Sequence, residues 1–315
     1  MSAMVLPLAL TMGEPAGIGG EIALKAWLDF RDDLPPFYLI DDPDRLAALA
    51  RRLDWPVPVR PIDAPHRAPP VFADALPVVP IDMTVRAQPG RPEPGDAPAI
   101  LGAIQTAVRD VRNGRAAAVV TNPIHKDSLY RAGFHHPGHT EYLAELAGDG
   151  AAPVMMLACP GLRVVPVTIH LALRRAIESL SSAAIVHAGR ITDAALRRDF
   201  GAASPVLAVA GLNPHAGEAG GLGREEIEII EPAVAELRAG GIDARGPLPP
   251  DTMFHAEARS AYDAALCTYH DQALIPIKTI DFHGGVNVTL GLPFVRTSPD
   301  HGTALAIAGR GTARP

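Results

Sequence analysis

Short apolar runs recur along this chain, and several of them end directly in polar residues capable of chemistry. Examples are Leu6–Thr11, Ala116–Val120, Val206–Ala210 and Ala264–Cys267. Runs of this length between segments of helical periodicity predict buried strands that alternate with helices. Ligands of open α/β sheets bind outside the carboxyl ends of the strands. We therefore predict an α/β protein whose chemistry lies at one edge of its sheet.

Three histidines, His170, His215 and His270, each follow an apolar run within about five residues. A single histidine in such a place more often makes a structural hydrogen bond than binds a metal. Three at corresponding strand ends favour a divalent metal site, because neutral imidazoles converging from neighbouring strands leave a coordination position for substrate.

The stretch Thr268–Thr303 carries many reactive groups on what we expect to be little regular structure. Its imidazoles and carboxylates suit a divalent cation, and its cations suit an anionic substrate. A capped turn or a solvated loop is the alternative for the His-Asp pair alone. The residues are His270, Asp271, Lys278, Asn287, Arg296, Asp300 and His301.

Other motifs allow two interpretations each. His139 and Thr140 open a predicted helix and could hold phosphate, but Thr140 could simply cap that helix. Asp251 ends a proline-rich loop and could neutralise a metal or a substrate ammonium group, or cap a turn. The glycine-rich segment 13–20 lacks the G-x-G-x-x-G and P-loop patterns, so a plain tight turn is equally expected there.

Composition limits the partners. A chain of 315 residues with 48% hydrophobic residues can bury a sizeable core, and its length favours two domains. A net charge of −7 without a long basic run argues against nucleic acid or an anionic membrane. Cys159 and Cys267 are too few for a disulfide framework, so we expect core thiols. Without a signal-like start or a long apolar span, we expect a soluble cytoplasmic protein.

Several strings together resemble the 4-hydroxythreonine-4-phosphate dehydrogenase family of pyridoxal phosphate biosynthesis. They occur in the family's order over nearly the whole chain, and GLNPHAGE and LGLPFVRTSPDHGTA are highly specific. The strings are LTMGEPAGIG, TNPIHK, HPGHTE, VTIH, GLNPHAGE, GPLPPDTMF and YHDQALIPIK followed by GGVNVTLGLPFVRTSPDHGTA.

This resemblance implies an isocitrate/isopropylmalate dehydrogenase-like fold, with two α/β domains, a cleft between them, and a homodimer with its active site at the subunit interface. We expect residues 1–130 plus 280–315 to contribute the cofactor site. Residues 131–279 would contribute the metal ligands and the dimer interface. No nucleic-acid or membrane partner is expected.

The resemblance also implies roles for individual residues. The metal ligands would be His170, His215 and His270, the last from the partner subunit, for one Zn, Mg or Co ion. The catalytic residues would be Asp251, Asp271 and Lys278. The substrate would contact His139, Thr140, Lys278, Asn287 and Arg296. The NAD or NADP site would lie in 285–309, with Gly285, Asn287, Leu290, Gly291, Asp300 and His301.

The implied reaction is oxidation of 4-phosphohydroxy-L-threonine to a β-keto acid, which decarboxylates to 3-amino-2-oxopropyl phosphate. The metal would lower the pKa of the substrate hydroxyl and stabilise the enolate. Alternatives are a paralogue acting on phosphorylated threonate or erythronate or on a dihydrodiol carboxylate, a metal-dependent phosphohydrolase, and a non-catalytic phosphometabolite-binding module.

Overall fold

The computed structural model describes residues 5–136, 138–148 and 150–315, so Pro137 of the HPGHTE string and the first four residues lie outside the described part. The chain divides into two compact units. Unit 1 is Met1–Ala151 with Leu292–Pro315, and unit 2 is Ala152–Gly291. The boundaries therefore lie after Ala151 and Gly291, later in the chain than the boundaries after residues 130 and 279 that we expected. The functional roles of the two domains remain predictions.

Strands and helices alternate along most of the described chain. The strands are β1 (Leu8–Thr11), β2 (Phe37–Asp41), β3 (Val59–Pro61), β4 (Leu76–Pro80), β5 (Val119–Thr121), β6 (Val154–Cys159), β7 (Leu162–Pro166), β8 (Val206–Ala210), β9 (Asp243–Leu248), β10 (Ala264–Cys267), β11 (Val286–Leu290) and β12 (Arg296–Pro299). The helices are α1 (Gly19–Phe30), α2 (Pro43–Arg52), α3 (Ala68–Phe72), α4 (Ala97–Arg112), α5 (Lys126–Arg131), α6 (His139–Ala147), α7 (Leu173–Ser179), α8 (Ser182–Asp199), α9 (Glu231–Ala239), α10 (Ala256–Arg259) and α11 (His270–Ile280).

Unit 1 is built on parallel strands in the order β3-β4-β2-β1-β5-β12. Its longest helix, α4, buries Ile100, Ile104 and Val108, which recur every four residues and so share one face. Pairing of Arg296 with Val119 places the start of β12 beside β5. Side chains that follow β5 and those on β12 therefore lie in one region of the unit.

Unit 2 has the strand order β11-β6-β7-β10-β8-β9. The pairs β11–β6 and β6–β7 are antiparallel, whereas β7, β10, β8 and β9 run parallel. The carboxyl ends of β7, β10 and β8 therefore meet at one edge. His170, His270 and His215 follow these three strands in the chain, as the sequence predicted.

Two expectations about local structure were wrong. The stretch Thr268–Thr303 is largely regular, because α11 buries Ala273, Leu274 and Ile277 on one face despite the internal Pro276. Cys159 is only partly buried, because it ends β6 at the turn of the β6–β7 hairpin.

The α/β prediction is confirmed, and Cys267 is a fully buried core thiol as expected. Among the described residues, no helix is both long and apolar enough to cross a membrane.

Candidate active site

Two histidines face each other at the strand-end edge of unit 2. His170 follows β7 with a positive φ of 44°, and His270 is the first residue of α11 after β10. Their ring centroids are 5.7 Å apart and the rings are tilted by 43°. The parallel pairing of β7 with β10 positions both rings.

A carboxylate orients one of these rings. Asp271 Oδ1 lies 2.7 Å from His270 Nδ1, and as a carboxylate oxygen it accepts a hydrogen bond from the ring. In a neutral ring, this contact favours the tautomer with its hydrogen on Nδ1, in which Nε2 carries a lone pair. A carboxylate that holds one imidazole nitrogen while the other binds a cation is the usual outer contact of a histidine metal ligand.

A cavity of about 190 Å³ opens onto this pair. Both apolar and polar side chains line it, so it could exclude bulk water around a small ligand while offering imidazole and carboxylate groups. The lining residues are Thr168, His170, Leu171, Leu173, Ala176, Tyr269, His270 and Asp271.

His215 lies in a left-handed turn after β8 rather than in a trio with the other two histidines. The turn spans Pro214–Gly220, and His215 to Ala219 all have positive φ values. Within the described residues, no three His, Cys, Asp or Glu side chains are grouped to hold a metal. Within one chain, His170 lies next to His270. The three-histidine site remains a prediction, and so does the contribution of His270 by a partner subunit.

Glu226 holds the loop that carries His215. Its buried carboxylate accepts the backbone N–H groups of Leu212 and Asn213 at 2.8 and 2.7 Å. The Asn213 side-chain amide donates to the same carboxylate at 2.9 Å. Gly217 packs so closely on Glu226 that a Cβ there would lie 2.5 Å from its Oε2 atom. The loop therefore has a defined conformation on the side facing Glu226.

The other residues predicted for the metal and substrate lie elsewhere in unit 2. Asp251 is exposed in a short turn, Pro250–Thr252. Lys278 is in the last turn of α11, with its ammonium 5.9 Å from the Phe282 ring centroid. Asn287 is half-buried on β11 opposite Leu157. Their proposed roles in catalysis and substrate binding stay predictions.

Unit 1 contains a second polar region around His139, the first residue of α6. His139 is half-buried, and its Nε2 atom is enclosed without a hydrogen-bond partner. Burial lowers the pKa of His139 to about 3, and the positive charges of Arg296 and Lys126 add to this shift. The imidazole is therefore neutral at physiological pH and lies in a positive potential.

Arg296 supplies a buried cation to the same region. It is 3% exposed, and its Nη2 donates to the Thr121 hydroxyl at 2.5 Å. Burial lowers the pKa of Arg296 to about 10, so the guanidinium keeps its charge at neutral pH. Thr140 is the second residue of α6, where backbone N–H groups are free of intrahelical partners. These groups suit a phosphate.

The predicted cofactor residues belong to different units. Gly285 precedes β11, Leu290 ends it, and Gly291 follows with a positive φ of 80°. Asp300 and His301 follow β12 in unit 1, and His301 Nδ1 lies 2.8 Å from the Gly302 carbonyl oxygen. Their role in binding NAD or NADP stays a prediction.

The sequence analysis gave no role to Glu226, Gln272, Thr121 or Lys126. No capping box indicates Gln272, because the N-cap residue is Tyr269 and Gln272 accepts from the Thr268 amide one residue before it. Thr121 and Lys126 lie in the same string after β5 and could have been weighed together as anion ligands. No local pattern indicates Glu226, since its partners lie a loop away.

Comparisons with known proteins indicate the family of the chain. The family model described as pyridoxal phosphate biosynthetic protein PdxA matches residues 34–315. A 4-hydroxythreonine-4-phosphate dehydrogenase of Bradyrhizobium diazoefficiens is 58% identical over 321 residues, which cover 98% of this chain and 93% of the relative.

Two solved structures are also similar over nearly their whole length. The 4-hydroxythreonine-4-phosphate dehydrogenase of Klebsiella pneumoniae has a TM-score of 0.87 and 37% identity, covering 98% of this chain and 95% of that one. A terephthalate 1,2-cis-dihydrodiol dehydrogenase of Burkholderia xenovorans has a TM-score of 0.66 and 28% identity, covering 98% and 94%.

Proposed function

The chain belongs to the family described as pyridoxal phosphate biosynthetic protein PdxA, and from that premise we propose that it oxidises 4-phosphohydroxy-L-threonine. It is an oxidoreductase of pyridoxal phosphate biosynthesis. The oxidation yields a β-keto acid, which loses CO₂ to give 3-amino-2-oxopropyl phosphate. The observation that carries the proposal is the His170–His270 pair with its Asp271 contact.

The geometry of this pair fits a divalent metal. Two imidazoles bound at about 2.0–2.1 Å to one tetrahedral centre have ring centres roughly 5 Å apart. The observed separation of 5.7 Å is close to this value. His170 and His270 would hold the ion, and His215 is the further ligand that the family implies. When bound, the metal would supply Lewis-acid polarisation of the substrate hydroxyl and of the enolate left by decarboxylation.

The chain's own residues would position the substrate around that chemistry. Asp271 would keep the His270 ring oriented, with Nδ1 towards the carboxylate and Nε2 towards the ion. Lys278 would bind the substrate carboxylate or move a proton, and Asn287 would line the same pocket. Asp251 would neutralise charge close to the metal.

Unit 1 would bind the phosphate ester. His139 and Thr140 lie at the start of α6, and Arg296 provides a buried guanidinium in the same region. A phosphate dianion would offset the positive potential that Arg296 and Lys126 exert on His139. The enclosed Nε2 atom of His139 could then donate to a phosphate oxygen.

A nicotinamide cofactor accepts the hydride in a dehydrogenase of this family. We propose that the segment 285–309 binds it and that either NAD or NADP is used. No Rossmann fingerprint is present in the sequence, so binding would rest on this segment instead. The roles given to its residues are part of the proposal.

We also propose a homodimer. Several large apolar side chains in unit 2 are exposed, and many of them lie within a few residues of His170, His215 or His270 in the chain. An exposed group of this kind suits a protein interface. The residues are Ile169, Leu171, Leu173, Ile177, Leu222, Ile275, Ile280 and Phe282.

The second candidate is a dihydrodiol dehydrogenase. The similarity to the Burkholderia xenovorans enzyme favours it, since that protein's name describes an unphosphorylated substrate. The cationic region around His139 and Arg296 favours the phosphorylated substrate instead, because it combines two positive charges with a helix start.

One assay separates these functions. We would follow reduced-nicotinamide absorbance with 4-phosphohydroxy-L-threonine and with a dihydrodiol carboxylate, using NAD or NADP. Each run would compare metal-stripped protein with protein given Zn²⁺, Mg²⁺ or Co²⁺, and free phosphate would be measured in parallel. Metal-dependent reduction with the phosphorylated substrate supports the proposal. Phosphate release without reduction would make the protein a hydrolase, and binding without turnover a non-catalytic module.

A further inference from the structure

A buried amide connects two of the strand ends in unit 2. Gln272 is 7% exposed and lies in the first turn of α11. Its Oε1 atom accepts from the backbone N–H and the hydroxyl of Thr268 at 2.7 and 3.0 Å. Its Nε2 atom donates to the carbonyl oxygen of Gly211 at 2.8 Å. One side chain therefore joins the end of β10 to the end of β8.

Thr168 extends this connection to the third strand. Its hydroxyl donates to the Thr268 carbonyl oxygen at 2.9 Å, and both threonines are buried. The contacts join segments far apart in the sequence: Thr168 and Thr268 are separated by 100 positions, and Gly211 and Gln272 by 61. The ends of β7, β10 and β8 are thus held in one hydrogen-bonded network.

Each end of this network lies next to one of the three histidines. Thr168 and Thr268 precede His170 and His270 by two residues each. Gly211 begins the loop that carries His215, and its own N–H donates to the Leu248 carbonyl at 2.8 Å. A shift in this network would therefore change the spacing of the imidazoles.

We propose that Gln272 is a positioning residue for the divalent-metal site, acting through the backbones that carry the three histidines. This inference rests on the proposed function. The position needs a group that accepts on the Thr268 side and donates on the Gly211 side. A carboxylate only accepts, and an apolar side chain does neither. A neutral amide does both, so either replacement would leave a buried backbone group without its hydrogen bond.

The test measures metal affinity without substrate. The full-length chain and its Gln272→Met and Gln272→Glu variants would be titrated with Co²⁺ alone, following the visible absorption bands of the bound ion. Thermal unfolding of each metal-free protein would be recorded alongside. We expect both variants to bind Co²⁺ about ten- to a hundredfold more weakly, as for other outer contacts of metal ligands.

A matched control separates positioning from general stability. Asn122 is a buried amide of unit 1 that donates to the backbone carbonyl of Thr11 at 2.9 Å. We expect Asn122→Leu to lower the melting temperature without changing Co²⁺ affinity. An equal loss of affinity in this variant, or wild-type affinity in either Gln272 variant, would overturn the inference while leaving the metal site in place.

Thr168→Val covers the case in which the Gln272 variants do not fold. This change removes a single hydrogen bond and keeps the side-chain shape, so we expect about two- to fivefold weaker Co²⁺ binding. Unchanged binding would count against the network as a positioning device. Wild-type protein that binds no Co²⁺ would overturn the metal site itself and this inference with it.

Discussion

The polar regions of the two units differ in how complete they are within one chain. In unit 1, Arg296, Lys126 and the start of α6 already produce a positive potential, which acts on His139. In unit 2, His170 and His270 lie side by side, but no third ligand joins them among the described residues. The region around His139, which we predict to bind phosphate, thus has its charges in place in one chain. The region around His170, which we predict to bind the metal, has two imidazoles side by side.

This difference reflects what each kind of binding requires. Phosphate recognition needs charge and enclosure, and unit 1 offers a buried guanidinium at Arg296 and an enclosed imidazole nitrogen at His139. Metal binding needs three or more ligands at short distances, so it is sensitive to small shifts of the strand ends. The predictions below probe these two regions separately, from the largest expected effect to the smallest.

Removing an imidazole of the pair should have the largest effect. For His170→Ala we expect loss of bound metal and a drop in kcat/KM of about a thousandfold or more, because Lewis-acid stabilisation is worth several kcal/mol. Turnover and Co²⁺ binding would be measured together. His187→Ala is the control, since His187 is an exposed residue of α8 in the same unit. Normal turnover of metal-stripped His170→Ala would rule out the metal mechanism.

Changing the buried guanidinium should affect phosphate recognition. We expect Arg296→Lys to raise KM for the phosphorylated substrate about 10- to 100-fold, since hydrogen bonds to charged groups contribute about 1.5–3 kcal/mol. KM for the same substrate without its phosphate should hardly change. Arg109→Lys on the exposed side of α4 serves as the comparison. Equal losses with both substrates would show that Arg296 does not read the phosphate.

Neutralising the orienting carboxylate should have a smaller effect on the metal. Asp271→Asn keeps the size of the side chain but removes the charge next to His270 Nδ1. We expect Co²⁺ affinity to fall by about tenfold. The exposed Glu178→Gln variant on α7 should bind Co²⁺ like the wild type. If both variants bind equally well, the Asp271 contact has no influence on the metal.

The pH dependence of stability should report the potential in unit 1. The folded-state pKa of His139 is lowered to about 3 from 6.5, so the unfolded chain takes up this proton first. Stability from this group is present above pH 6.5 and is lost as pH falls towards 3. Denaturant unfolding of wild type and His139→Gln should diverge over this window by at most about 1.4 kcal/mol per pH unit. Parallel curves would contradict the depressed pKa.

Periodicity and local order explain what the sequence predicted correctly. The buried stripe of α4 and the short apolar strands follow from residue spacing alone. The positions of His170, His215 and His270 after neighbouring strands follow from the same pattern, because parallel strands end at one edge. The identity of the family came from specific strings, which periodicity could not supply.

The remaining features depend on contacts between distant residues. Gln272 donates to the Gly211 carbonyl, and the Glu226 carboxylate accepts from the Asn213 amide, across long loops. The lowered pKa of His139 likewise depends on burial and on charges from other segments. The helix α11 was not predicted, and it forms in spite of its internal Pro276 because it buries an apolar face. The partial exposure of Cys159 depends on its place at the end of a hairpin.

The left-handed turn after β8 has a stereochemical consequence. Ala216 and Ala219 have φ values of 51° and 53°, a region that costs an L-residue about 1–2 kcal/mol. The mirror-image amino acid prefers these angles. D-alanine introduced at position 216 by semisynthesis would therefore adopt this backbone with less strain than the natural L-alanine. Such a replacement would stabilise the turn that carries His215.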